Sequence, residues 1–558
     1  VTSPISVEVI GPEAKAIGPF PLDFLKVLNS LIGKKEWAGK SMKFEPMPIN
    51  LNILRRSGFK LDWKGPEFEK AKVEGLLQKL ELSSAYETVC HFYQPKLKLR
   101  EHQTEALIRS WDKEAYALFL EMGLGKTAIM IGNAGLLYKL NKLSGVVVLA
   151  PKGVHRQWLE EQIPEHLDPS IEPELILWNK KQKTFKKTNK LQFFALNIDA
   201  VRTKDGFKAI QNFLITHQGT SMMIVDESHN IKSWMADRTK AAIKLGTFAT
   251  YRRIATGTPI SRDIMDAYSQ FLFLDANILG HRSPVTFRSR YCVMGGWEMR
   301  QVVGQKNIEE FYSLIAPYSF RLTKAEAVDL PPKIYVKREY ALSEKARKHY
   351  DELRKTFMTS LENGERVDVN TAMSAMLRLQ QIVCGYLPLA DGSMHSIDDG
   401  RIEQTLEIIS QVQGQVVIWA RFREDIKRLK AALEKAYKKP VGELHGDISD
   451  KLRAETLRMF QEKEIDHLVA NPTVGGVGVN QMKKCPNFIY YSNSFNALDR
   501  WQSEDRGHRY GTEVSPTYFD LVAEKTIDRI IVKNLQSKKS LSDLTLDQIR
   551  QAVSEGEL

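Results

Sequence analysis

Short apolar runs set the first limit on how this chain can fold. Val146–Ala150 (VVVLA), Met222–Val225 (MMIV), Val416–Trp419 (VVIW), His467–Ala470 (HLVA) and Phe488–Tyr491 (FIYY) are each too short for a buried helix. Each is followed by a polar or Gly-rich turn and a helix-like stretch. Continuous apolar strands alternating with helical patterns are the mark of parallel sheets covered by helices on both faces. Two such series occur, in 95–260 and 401–530, separated by a helix-rich stretch that includes Ser343–Leu361 and Val369–Ile382. Residues 1–94 read differently, with many Pro and Gly and scattered basic and aromatic residues. The expected organisation is α/β throughout most of the chain. A small accessory domain spans 1–94, a first lobe 95–335, a helical connecting region 336–400, and a second lobe with C-terminal helices 401–558.

Composition narrows the function classes. Of 558 residues, 43% are hydrophobic, enough for sizeable cores. No run of eighteen or more apolar residues occurs, so no membrane span is expected. The start lacks a basic region followed by an apolar stretch, which argues against a secretory signal and for a cytoplasmic or nuclear location. The first residue is Val1, which suggests trimming or a partial chain. Cys90, Cys292, Cys384 and Cys485 form no CxxC pair, so buried, reduced thiols are expected and a zinc or disulfide framework is not. The net charge of +12 favours a polyanionic partner, because each neutralised phosphate releases counterions.

The strongest local motif is Glu121-Met122-Gly123-Leu124-Gly125-Lys126-Thr127. Gly123 and Gly125 let backbone N–H groups close around phosphates, Lys126 brings a positive charge to the β- and γ-phosphates, and Thr127 offers a hydroxyl to Mg²⁺. The general phosphate-loop pattern asks for Gly where this chain has Leu120, so a glycine turn before an ordinary helix is the competing reading. A second motif shifts the balance. Asp226-Glu227-Ser228-His229 follows the strand candidate 222–225, where Asp226 could hold Mg²⁺ and Glu227 could orient an attacking water.

The order of motifs resembles the SNF2 family of helicase superfamily 2 ATPases. Leu99-Arg100-Glu101-His102-Gln103 is similar to that family's adenine-reading segment, with Gln103 as the reader. EMGLGKT (121–127) resembles motif I, LAPK (149–152) running on to Trp158 motif Ia, DESH (226–229) motif II and TGTPI (256–260) motif III. RLTKAEAVDLPPK (321–333) is similar to the family's basic stretch. In the second lobe VIWARF (417–422) resembles motif IV. Gly446, Ser449, Arg453 and Phe460 keep the spacing of the next segment. GGVGVN (475–480) resembles motif V and QSEDRGHRYG (502–511) motif VI. The family more often has Ala at Ser228 and Gln at Thr512. The resemblance covers about 97–530 and implies two RecA-like lobes. It also implies ATP and Mg²⁺ bound between them, with Gln103, Gly123, Gly125, Lys126, Thr127 and Gly478 around the nucleotide.

Arg506 and Arg509 lie far from Lys126 in sequence. A spacing of three on a helix places both on one face, where a guanidinium could stabilise charge on the γ-phosphate and make hydrolysis depend on lobe closure. For DNA, the resemblance nominates Lys152, Trp158 and Arg262, and KKQKTFKKTNK (180–190) adds Lys180, Lys181, Lys186 and Lys187. That charge run reads equally well as a solvated loop. Residues 20–63 interleave basic residues with aromatics such as Trp37, Phe44 and Trp63, a pattern that suits nucleic acid or, equally, a small core. The stretch from Val27 to Arg56 resembles the HARP domain of annealing helicases.

The expected function is an ATP-dependent translocase on double-stranded DNA, with forked or branched DNA as a candidate substrate and DNA repair or replication as its setting. The rivals are a strand-separating helicase of the same superfamily and a nucleic-acid-binding scaffold with a silent ATPase.

Overall fold

The computed structural model describes 89–536, apart from 90, 183, 261–262, 296–300, 328–329, 363–368, 390, 474–481, 483, 510–511 and 513, together with five strands within 6–63. The chain divides into two compact units: Val1–Asp112 with Ile131–Lys142 and His166–Ile171, and the remainder.

In the first unit, β1 (Ser6–Ile10), β2 (Glu13–Ile17), β3 (Lys35–Ala38), β4 (Ser41–Phe44) and β5 (Lys60–Trp63) form one sheet in the order β3-β4-β2-β1-β5. Its pairs are antiparallel except β1 with β5. Helix α1 (Glu101–Ser110) belongs to the same unit. There Asp168 gathers the Lys139 ammonium at 2.5 Å and the Gln94 backbone N–H at 2.8 Å. Tyr93, almost wholly buried, donates its hydroxyl to the His166 carbonyl at 3.3 Å.

The second unit holds both expected sheets. The first is built from β6 (Ala115–Leu120), β7 (Gly145–Ala150), β8 (Pro173–Leu177), β9 (Leu191–Asn197), β10 (Ser221–Asp226), β11 (Tyr251–Ala255) and β14 (Ser319–Leu322). All its pairs are parallel, in the order β14-β6-β11-β10-β7-β9-β8. Helix α2 (Lys126–Lys139) follows β6, and α3 (Lys204–Thr216) precedes β10. Strands β6, β7 and β10 are buried at every position, as continuous apolar runs in a doubly covered parallel sheet must be. A short hairpin, β12 (Cys292–Gly295) with β13 (Gln301–Gln305), stands outside this sheet.

The second sheet runs β15-β22-β21-β18-β20-β19 and is again wholly parallel. Its strands are β15 (Ile334–Tyr340), β18 (Val416–Trp419), β19 (Gly442–Leu444), β20 (His467–Ala470), β21 (Asn487–Tyr490) and β22 (Thr517–Ala523). Helices α4 (Glu344–Glu362) and α5 (Val369–Val383) and the small hairpin β16 (Tyr386–Pro388) with β17 (Met394–Ser396) intervene. The two-lobed α/β reading is thus the observed fold. One element differs from expectation: β15 starts at Ile334 and pairs along its whole length with β22, so the second sheet draws its first strand from the boundary of the expected helical connection.

Among the described residues no helix is long and apolar enough to cross a membrane. Cys292, Cys384 and Cys485 are free and buried, while Cys90 lies outside the described residues.

Candidate active site

Three adjacent strands of the first sheet, β6, β11 and β10, end side by side, and the loops that leave their C-terminal ends carry the motifs. That edge of a parallel sheet is where ligands bind in open α/β folds. The loop after β6 turns through Gly123 (φ +86°) and Gly125 (φ +80°), conformations that a side chain would strain. Helix α2 then begins at Lys126 with no acidic residue in its first turn, leaving its positive end uncompensated for an anion. Lys126 is buried and donates to the carbonyls of Leu120 (2.9 Å) and Glu121 (3.5 Å). Thr127 is half-buried as the second residue of that helix.

Strand β10 delivers Asp226 at its last position. One carboxylate oxygen accepts the Trp158 indole N–H at 2.8 Å and the other the Glu227 backbone N–H at 3.0 Å. Glu227 adopts a left-handed backbone (φ +53°), uncommon for a residue with a side chain and frequent where function demands an orientation. Burial and the adjoining Glu227 carboxylate raise the proton affinity of Asp226. Against the same burial, His229 and the Lys126 ammonium hold Glu227 below the usual carboxylate range. His229 lies 3.2 Å from Glu227 and 3.3 Å from Thr256 Oγ1, which also accepts the Thr258 N–H at 3.1 Å. The three loops are therefore wired together. A Cβ on Gly257 would sit 3.3 Å from the Met122 backbone nitrogen, so the third loop touches the first.

The second sheet contributes through α6 (Ala497–Gly507). Asn496 caps its start by accepting the Leu498 N–H at 3.1 Å. Gly507 ends it, and a Cβ there would lie 2.1 Å from the Phe488 ring, so only glycine lets the helix seat on β21. The end of α6 corrects the expectation for the two arginines. Arg509 lies beyond the last helical turn, so it does not share a helical face with Arg506. Arg506 is buried, with its guanidinium 5.1 Å from the Trp419 ring and a bond of 3.2 Å to the Pro472 carbonyl. Arg509 instead reaches the first sheet: a Cβ on Gly123 would lie 3.2 Å from Arg509 Cβ and 3.7 Å from its Nε. A cleft of about 1250 Å³ opens beside this contact, lined by Glu121, Glu227 and Thr258 from one sheet and Trp501, Asp505 and His508 from the other.

Trp158 is the second correction. It is 1% exposed and offers no surface to DNA. A single π-helical turn, Trp158–Gln162, carries it, and its indole serves Asp226. Lys152, Lys180, Lys181, Lys186 and Lys187 are exposed. Phe185 pins the lysine-rich loop by packing on Phe194 and Phe213, and Lys187 donates to Thr220 at 3.2 Å, at the N-terminal end of β10, the opposite pole of the sheet from Asp226. Gln103 is buried in the first unit, where its Oε1 accepts the Arg100 N–H at 2.9 Å. Arg262 and Gly478 lie outside the described residues.

A family model for the SNF2-related domain matches residues 85–386, more than half of the chain. The chain belongs to the SNF2-related family. The helicase conserved C-terminal domain matches residues 400–511. SNF2 relatives include YwqA of Bacillus subtilis (strain 168), whose name describes an ATP-dependent helicase/translocase. It is 27% identical over 442 residues, covering 76% of this chain and 45% of YwqA. The human DNA annealing helicase and endonuclease ZRANB3 is 23% identical over 472 residues, covering 81% of this chain and 41% of its own. Among solved structures, a Sulfolobus solfataricus SWI2/SNF2 ATPase core in complex with dsDNA is 22% identical, with 84% of this chain and 95% of that one covered at a TM-score of 0.39. The chain spans less than half the length of these two SNF2 relatives.

Proposed function

We propose that this chain hydrolyses ATP between its two sheets and uses the cycle to move along double-stranded DNA. The observation that carries the reading is the contact of Arg509, from the second sheet, with Gly123 of the phosphate loop. The glycine cradle, the uncompensated start of α2 and the buried Asp226–Glu227 pair form a donor set suited to a nucleotide with a divalent cation. Thr127 and Asp226 would hold the Mg²⁺, which would neutralise charge on the phosphates. Lys126 binds the β- and γ-phosphates. Glu227, kept ionised by His229 and Lys126, accepts a proton from the attacking water. Arg509 stabilises the charge that spreads over the γ-phosphate oxygens, so turnover requires the sheets to stay together. The resemblance in sequence also nominates Gln103 and Gly478 as nucleotide contacts.

Duplex DNA is supported by family membership and by the net charge of +12. Lys152, exposed just beyond β7, is the leading phosphate contact, with Arg262 and the lysines at 180, 181, 186 and 187 as further ones. Residues 1–94 direct the motor to forked or gapped DNA, in keeping with a relative named as an annealing helicase. Lys126→Ala or Glu227→Gln should reduce DNA-stimulated hydrolysis at least ~100-fold. Near-normal turnover by either clean variant would sink the assignment. The same phosphate-release measurement disposes of the silent scaffold if the wild type turns over.

One observation favours the strand-separating rival. The hairpin β12–β13 exposes Val293 and Val303, apolar side chains of the kind that could part bases. Displacement of a triplex strand without unwinding of a tailed duplex is the outcome expected of a translocase. Efficient unwinding without triplex displacement would favour the hairpin as a wedge.

A further inference from the structure

The stretch 319–335 joins the two sheets, and its polar groups are spent on both. Strand β14 pairs with β6, and the Glu121 N–H donates to the Leu322 carbonyl at 3.0 Å. Two residues on, the Lys324 backbone N–H donates to Glu121 Oε2 at 2.9 Å. Glu121 is the residue that opens the phosphate loop, so the backbone of Lys324 is anchored to the first sheet at the nucleotide site. The side chain of Lys324 goes the other way. It is buried, and lysine is almost never buried unless paired. Its ammonium lies 2.6 Å from Asp505 Oδ1 and 2.6 Å from the His508 carbonyl oxygen. Asp505 is in the last turn of α6, and the His508 carbonyl belongs to the peptide that ends at the Arg509 nitrogen.

Neighbouring bonds repeat the pattern. Lys333 Nζ and the Tyr335 hydroxyl each donate to Glu504, at 2.8 and 2.7 Å, and His508 Nε2 donates to the Pro331 carbonyl at 2.8 Å. On the far side, the Arg509 N–H is held by Thr512 Oγ1 at 3.1 Å. The turn that carries Arg509 is therefore fixed at its amino side by groups from the connecting strap. Of these groups, only Lys324 is tied through its own backbone to the residue that opens the phosphate loop.

We propose that Lys324 is a positioning residue that locks the turn bearing Arg509 in register with the phosphate loop. The inference rests on the reading of the cleft as an ATPase site. It is specific about what Lys324 does there: it leaves nucleotide affinity alone and sets how often Arg509 is in place for transfer. A misplacement near 1 Å at a transferring group costs on the order of 10²-fold in rate, which sets the expected scale.

Lys324→Met keeps most of the length of the side chain and removes its charge. The expected result is a fall in kcat of about 10²-fold with nucleotide Kd within about threefold of wild type, and partial recovery in Lys324→Arg, which can still bridge Asp505 and the carbonyl. Asp505→Asn should lower kcat in the same sense, and the double variant should be no worse than the poorer single, because both remove one interaction. A second readout does not depend on turnover. Spin labels at the exposed positions 208 and 435, one on each lobe, should give a narrow distance distribution in the wild type and a broadened one in Lys324→Met. Unchanged kcat in both single variants, additive losses in the double variant, or an unchanged distance distribution would each overturn the proposal. A wild type with no hydrolysis on any nucleic acid would instead remove the ATPase reading, and the label distances would still report whether Lys324 locks the lobes.

Discussion

The indole of Trp158 and the guanidinium of Arg506 show how burial reassigns a side chain. Trp158 donates to Asp226, and Trp158→Phe removes that N–H together with part of the buried ring system. Partners of this kind typically change metal affinity by about 10–100-fold. A Mg²⁺ titration of ATP hydrolysis should therefore show a weaker apparent affinity in Trp158→Phe, and an unchanged titration would mean that the indole bond is idle. The two arginines should separate in the same way. Arg509→Ala is expected to bind ATP normally and to lose roughly 10³-fold in hydrolysis, as arginines aimed at the transition state do. Arg506→Ala should lower the melting temperature, because it strips a buried packing partner from Trp419, at a cost of about 1–3 kcal/mol. Loss of ATP binding in Arg509→Ala, measured with a fluorescent nucleotide, would make it a binding group. The sequence shows that two arginines exist near the motif. It does not show that α6 stops at Gly507, since that depends on the close seat of Gly507 against Phe488.

At the scale of elements, what is legible follows burial. Val416–Trp419 and His467–Ala470 coincide with β18 and β20, and the runs 146–150 and 222–225 lie inside β7 and β10, because a strand buried on both faces must be apolar throughout. The run at 488–491 is offset by one residue from β21. Ile334–Tyr340 escapes the same reading. As an edge strand it alternates exposed and half-buried positions, with Lys337, Arg338 and Glu339 in its sequence, so no continuous apolar run marks it. The pole of the first sheet away from the cleft carries a device no motif announces. His217, at the end of α3, is fully buried, with Nδ1 2.8 Å from Ser144 Oγ, which in turn meets Thr220 Oγ1 at 2.7 Å. Burial, with Lys187 adding to it, pushes the His217 pKa down from 6.5 to about 4. Because the folded value is depressed, its contribution to stability is complete above the unfolded pKa. It is lost as pH falls through the window from 6.5 to about 4. The limit of the loss is about 3 kcal/mol at 1.36 kcal/mol per unit. His217→Gln should flatten the decline in melting temperature across that window, and an equal slope in both proteins would contradict it.

Over the whole molecule, the first unit and the two parallel sheets of the second invite separate tests. The boundary expected at residue 94 cuts through packed structure, since Tyr93 and Gln94 bond to His166 and Asp168 within the first unit. A chain that starts at Val89 keeps those bonds. It should hydrolyse ATP on linear duplex DNA as the full chain does and lose any preference for forks, measured as fork and duplex binding at fixed salt beside thermal melting. A stable truncation with unchanged fork preference would end the assignment of residues 1–94 to fork recognition. The central claim is narrower: two parallel sheets form one hydrolytic site because Arg509 of the second lies on the phosphate loop of the first. Single-turnover hydrolysis of bound ATP on duplex DNA tests it most directly. Wild type should turn over, while Arg509→Ala should hold ATP with unchanged affinity and hydrolyse it about 10³-fold more slowly. Hydrolysis at the wild-type rate in Arg509→Ala would contradict it.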